Sequence, residues 1–189
     1  MFVLGIDPGL SRCGYGVVER AGRSQRAVAA GVLRTEPGLP VPERLAALQA
    51  DLRGLLADHR PEVVAVERVL FQVNARTAIS VAQAAGIAMA EAVNAGCEVV
   101  EYSPNEVKQA VAGYGGADKA QVERMVQTLL GIARPLRPVD AADAVALALC
   151  HLAHAPLRAR ARAGVGRAAR AGRSAGGRAG ATPGAVVAR

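Results

Sequence analysis

Aromatic residues are nearly missing. The 189-residue chain has no tryptophan, three tyrosines and two phenylalanines, while about half of its residues are hydrophobic. Its core must therefore be built from Ala, Val and Leu, and the length suits one domain with room for a tail. Cysteine is scarce too. Cys13, Cys97 and Cys150 are isolated, odd in number and without metal-type spacing. That pattern excludes a disulfide framework and reads as reduced thiols in a cytoplasmic protein. No apolar run of about eighteen residues occurs, so no membrane span is expected. The start "MFVLGIDPGL" lacks a basic segment and a cleavage pattern, which argues against a signal peptide.

Acidic residues are missing from one end. From Ala155 to Arg189 there are eight Arg and no Asp, Glu or Lys, so the formal charge of +7 belongs to that end. Residues 1–154 carry 15 basic against 16 acidic residues, or −1. The Ala/Gly/Arg composition predicts a disordered tail over 157–189 after a folded domain over 1–156. Two readings of the tail stand side by side: a solvated extension, or an arm that binds phosphate without sequence preference.

What is present reads as an α/β domain. "FVLGID" is a short buried strand ended by Pro8-Gly9. "GYGVVER" and "RAVAAGVLR" follow as strands with Gly22 in the turn, which suggests an antiparallel meander. Leu45, Leu48, Leu52, Leu55 and Leu56 recur at helical spacing after Pro42, and this helix stops before Pro61. "EVVAVE" is apolar throughout, as in a central parallel strand. A long helix rich in small residues spans 74–94, then "CEVVEY" is a strand. "SPNE" is a capping box, and Asp118 caps a further helix that ends near Gly131. A helix from Val139 closes the domain and stops before Pro156. This order predicts a mixed sheet covered on both faces.

Four acids sit in unusual places. Asp7 and Glu67 end apolar strands, and Asp140 and Asp143 open an apolar helix three residues apart, on one face. Singly each has a plain reading: turn residue, solvated strand end, or partner of the helix dipole. Converging, they would repel and need a counter-charge. No Lys or Arg flanks Asp7 or Asp140 closely in sequence. A hard divalent cation, Mg²⁺ or Mn²⁺, is then the natural partner. In nucleases such ligands hold two ions about 3.5–4 Å apart, which activate a water and stabilise the leaving oxygen. Ser11, Ser80 and Ser103 have no evident His partner, so no protein nucleophile is expected. His151 and His154 read as favouring the helix C-terminus rather than as zinc ligands.

"GIDPGLSRCGYGVV", "VVAVERVLFQVNARTAISVAQAAG", "VKQAVAGYGGADKAQVERMV" and "DAADAVALALCH" resemble, in order and spacing, the RuvC family of crossover junction endodeoxyribonucleases. The resemblance covers about residues 1–154. The first motif alone is similar to the phosphate strand of actin-like sugar kinases, but those need a second domain that this chain has no room for. The resemblance implies an RNase H-like fold with a five-stranded mixed sheet. It implies a homodimer that resolves four-way (Holliday) DNA junctions by paired symmetric nicks, in recombination and repair. It assigns Asp7, Glu67, Asp140 and Asp143 as catalytic metal ligands for two Mg²⁺ ions. It places Lys108 and Lys119 against DNA, and implies a branch-migration complex (RuvA and RuvB) as partner. The family often has an aromatic that stacks on a base where this chain has Leu70, followed by Phe71, so either residue is a candidate for the wedge. Arg68, Arg76, Lys108 and Lys119 are expected to form a local basic rim. The small residues of 74–94 suit either a dimer contact or packing on the subunit's own sheet. The rival from another class is a non-catalytic junction- or nucleotide-binding module on the same scaffold.

Overall fold

The computed structural model describes residues 1–69 and 75–175, without the side chains of 75–77, 157 and 159–175. It divides into two compact units, Met1–His154 and Ala155–Arg189.

The first unit opens with β1 (Phe2–Asp7), β2 (Arg12–Ala21) and β3 (Ser24–Arg34). Then come α1 (Val41–His59), β4 (Val63–Glu67), α2 (Ala75–Asn94), β5 (Glu98–Tyr102), α3 (Pro104–Ala112), α4 (Lys119–Leu130) and α5 (Val139–Ala175). The strands form one sheet in the order β3-β2-β1-β4-β5. The meander pairs antiparallel, and β4 and β5 add parallel to β1. The mixed, five-stranded RNase H-like sheet expected from the sequence is the one observed. The predicted capping box forms between Ser103 and Glu106, and the predicted cap Asp118 forms a second one with Gln121.

Strand parity sorts the apolar residues between two cores, because successive side chains on a strand point to opposite faces. Leu4, Ile6, Val64 and Val66 pack with Leu48 and Leu52 of α1 and Ala84, Ala85 and Ala88 of α2. Val3, Val63 and Ala65 face the other way, onto Val107, Val126 and Val145–Cys150 of α3, α4 and α5. Counting on by two from Val3 and from Val63 reaches Asp7 and Glu67. Both terminal carboxylates therefore belong to the face that α5 covers. The first three turns of α5 are apolar nearly all round and buried nearly all round, as such a helix must be.

One expectation fails. The last helix does not stop before Pro156 but continues through it to Ala175. A proline removes a single intrahelical hydrogen bond, and the Ala and Arg that follow rank among the best helix formers. The described helix thus passes the expected boundary at 156, and 176–189 of the expected tail lie outside the described residues.

Candidate nuclease site

The ladder that pairs β1 with β4 runs from Val3 opposite Val63 to Ile6 opposite Val66, so Asp7 and Glu67 follow as neighbours at the C-terminal ends of parallel strands. Ligand crevices of open α/β sheets lie at that edge. Gly14 on β2 stands opposite Asp7 in the antiparallel ladder. A Cβ there would come within 2.2 Å of the Asp140 carbonyl oxygen, and a Cβ at Gly5 within 1.8 Å of that of Ala144. The missing side chains let the first turns of α5 lie directly on β1 and β2, which carries Asp140 and Asp143 to the same edge. These glycines were not singled out from the sequence. Their even spacing from the Asp7 pair, on one face of adjacent strands, was the available signal.

Asp7, Glu67, Asp140 and Asp143 all line one cleft of about 360 Å³, with Lys108 and Lys119. These are the only two lysines in the chain. Pro104, Val107 and Leu147 complete its wall. A larger hollow of about 490 Å³ opens at the other end of the sheet, where β4 and β5 begin. Its buried carboxylate, Glu91, is already bonded by Arg53 and Gln49, so it offers no comparable acid set.

The expected counter-charge comes partly from the protein itself. Arg12, at the start of β2, donates from Nε to Asp140 Oδ2 at 2.8 Å and pairs with the same oxygen through its Nη2. Lys119 Nζ lies 2.8 Å from Asp143 Oδ2. No cation adjoins Asp140 in sequence, but the fold supplies one from a strand more than a hundred residues away. Burial pushes the Asp7 carboxyl up to about 7, with the charges of Glu67, Asp143 and Asp140 adding to it. Glu67 is raised as well, chiefly by burial, while a hydrogen bond from Asp7 and the charge of Lys119 pull it back. Asp7 is thus the proton-bearing member of the pair. Lys119 is held above its usual value, first by its bond to Asp143.

The donor set is all carboxylate oxygen, which suits a hard divalent cation and not zinc or copper. Among the described residues, no three His, Cys, Asp or Glu side chains are grouped closely enough to hold an ion. The four acids share a cleft but are parted into two ion pairs and one proton-sharing pair, the arrangement by which such a cluster balances its charge without metal.

The other expected residues fall elsewhere. Arg68 lies 3.8 Å from Glu106 and does not line the cleft. Arg76 belongs to α2, but its side chain is not described. Leu70 and Phe71 lie outside the described residues. His151 is buried with its Nδ1 3.0 Å from Tyr102 Oη, and His154 Nδ1 donates to the Cys150 carbonyl at 2.9 Å. Both are absorbed in the fold behind the cleft.

Comparison with known proteins gives the family. The family profile described as crossover junction endodeoxyribonuclease RuvC matches residues 3–151. The enzyme of that name from Salinispora arenicola is 51% identical over 91% of this chain and 99% of its own length. That of Chloroflexus aggregans is 51% identical over 82% of this chain and 95% of its own. The solved structure of Thermus thermophilus RuvC in complex with a Holliday junction substrate superposes with a TM-score of 0.78, at 39% identity, covering 83% of this chain and 96% of that one. The matched profile spans all four acids, and with relatives of this identity and coverage the chain belongs to the RuvC family of crossover junction endodeoxyribonucleases.

Proposed function

We propose that this chain is a structure-selective endonuclease that resolves four-way DNA junctions by paired symmetric nicks. The observation that carries the reading is the convergence of Asp7, Glu67, Asp140 and Asp143 from three separate elements on one cleft that also holds Lys108 and Lys119. A protein that only binds DNA gains nothing from four carboxylates beside phosphate. The four acids would hold Mg²⁺, or Mn²⁺ in its place, as two ions per site. When bound, the metal supplies an activated water and charge stabilisation at the leaving oxygen.

The chain's own groups do the rest. Lys119 holds the Asp143 carboxylate, and both lysines present cations to the phosphodiester as it enters. Asp7, half-buried and proton-bearing, must give up that proton before it can ligate a metal. Cysteine attack is unavailable: burial pushes the thiols of Cys13 and Cys150 up to about 12. The three cysteines are free, in keeping with a cytoplasmic setting. No helix among the described residues is long and apolar enough to cross a membrane.

The test uses a synthetic four-way junction and a linear duplex of the same sequence. Wild type is expected to nick only the junction, symmetrically and only with Mg²⁺ or Mn²⁺. Asp143→Asn should lose cutting by more than about a hundredfold while keeping junction binding. Binding without cutting in either metal would favour the non-catalytic module. The same binding assay tests the basic arm. A chain ending at residue 156 is expected to bind DNA more weakly and with a flatter salt dependence, while keeping its preference for junctions.

A two-fold junction presents two equivalent phosphodiesters, and an isologous dimer presents two equivalent sites. The surface of α2 supports that assembly. Ile79 and Val93 are 61% and 63% exposed, and with Gln83, Gly86 and Ala90 they form one uncovered stripe at helical spacing. A Cβ at Gly86 would meet nothing, so a second backbone can come close. Ile79→Asp with Val93→Asp is expected to convert the dimer to a folded monomer in sedimentation and to abolish paired nicking. A variant that stays dimeric would move the interface elsewhere. By family membership, the branch-migration complex of RuvA and RuvB is the partner we assign to this dimer.

A further inference from the structure

We propose that Arg12 is an ion-pair gate on Asp140, closed in the free protein and opened when a backbone phosphate of bound DNA takes the guanidinium. The inference rests on the reading of Asp140 as a metal ligand.

Two donors of Arg12 converge on the single oxygen Oδ2 of Asp140. The contact is fixed at both ends. Arg12 pairs with Arg34 within the β2–β3 ladder, and two residues on, Gly14 packs against the Asp140 main chain. An ion that binds Oδ2 must displace the guanidinium, which cannot escape by deprotonation. Arg12 is therefore a competitor for metal built into the fold.

The competitor has a second partner within reach. The Arg12 side chain is 44% exposed and the Asp140 side chain 30%, so the pair sits at the rim, open to an incoming strand. A planar guanidinium suits two phosphate oxygens at least as well as one carboxylate. Phosphate taken by Arg12 leaves Asp140 available, and phosphate removed lets the pair close. DNA and metal would then bind with positive coupling through one side chain, and the same coupling must operate in both directions. Lys119 makes a related contact with Asp143, but from inside the cleft that the four acids line.

The experiment uses the full chain with Arg12→Gln, Arg12→Lys and Asp140→Asn. Affinity for Mn²⁺ is measured without DNA by electron paramagnetic resonance. Salt dependence of junction binding is measured without metal. Arg12→Gln is expected to bind Mn²⁺ about tenfold more tightly than wild type, within the usual span of coupling between sites. Its junction affinity should fall less steeply with salt, by about one phosphate contact. Arg12→Lys, which keeps the charge, should stay near wild type in the salt dependence. Asp140→Asn should weaken Mn²⁺ binding. Unchanged or weaker Mn²⁺ binding by Arg12→Gln, or an unchanged salt slope, overturns the gate. If Asp140→Asn leaves Mn²⁺ affinity as it was, the ligand reading fails instead, which keeps the two failures apart.

Discussion

Asp7→Asn is expected to abolish cleavage and, at the same time, to raise the melting temperature of the metal-free protein at pH 8. The two effects have one cause. Asp7 is half-buried beside Glu67, Asp143 and Asp140, and its carboxyl is pushed from 3.8 up to about 7. Between those values the folded chain holds a proton that the unfolded chain has released. The contribution of Asp7 to metal-free stability is therefore greatest below about pH 4, falls as the pH rises to about 7, and stays low above it. A shift of that size corresponds to at most about 4 kcal/mol. Asparagine has the same shape, carries no charge and can still donate to Glu67. At pH 8 it should add about 2 kcal/mol or more, several degrees in Tm. At pH 4, where wild-type Asp7 is already protonated in the folded state, the difference should nearly vanish. Cutting should drop by more than about a hundredfold at every pH, since a neutral amide is a poor metal ligand. Thermal melts of both proteins at pH 4 and pH 8 in chelator decide the matter. Equal Tm values at pH 8 would mean that the acids do not strain the metal-free fold.

Gly5→Ala is expected to be the most damaging single methyl in the domain. Gly5 lies in the middle of the central strand β1, and its Cβ would stand 1.8 Å from the Ala144 oxygen and 3.0 Å from the Ala148 nitrogen. Both are backbone atoms of a buried helix, so no side chain can rotate aside. Either α5 moves off the sheet by more than an ångström or β1 buckles. The expected loss is about 3 kcal/mol or more, above the usual range for an overpacked core because backbone must yield. Whatever fraction folds should also cut poorly, because Asp143 precedes Ala144 and moves with it. Urea denaturation gives the first number, and junction cleavage by the folded fraction gives the second. A loss below about 1 kcal/mol would show that α5 has slack against the sheet.

Much of this was legible in the chain because the signals are local. Asp7 and Glu67 were readable as ends of apolar runs, and Asp140 and Asp143 as charges where an apolar helix begins. The capping boxes at Ser103 and Asp118 lie within four residues and announce themselves. What could not be read is what the fold brings together from a distance. The pairing of Arg12 with Asp140 spans 128 residues and depends on β2 returning beside β1. The role of Gly5 and Gly14 depends on which helix crosses which strand, which periodicity does not encode. The end of the last helix is hidden for a third reason: Pro156 reads locally as a stop, while the helix propensity of the Ala- and Arg-rich run beyond it carries the helix on to Ala175.

The basic side chains of this protein are almost all arginine, and both lysines line the cleft. Lys108 and Lys119 are the only lysines among these 189 residues. Among side chains, a reagent selective for amines, whether an acylating dye or an acetyl donor, therefore reaches only this cleft. Up to two mass increments on side chains would mark the site, and their protection by bound DNA would trace the footprint of the substrate without a mutation having been made.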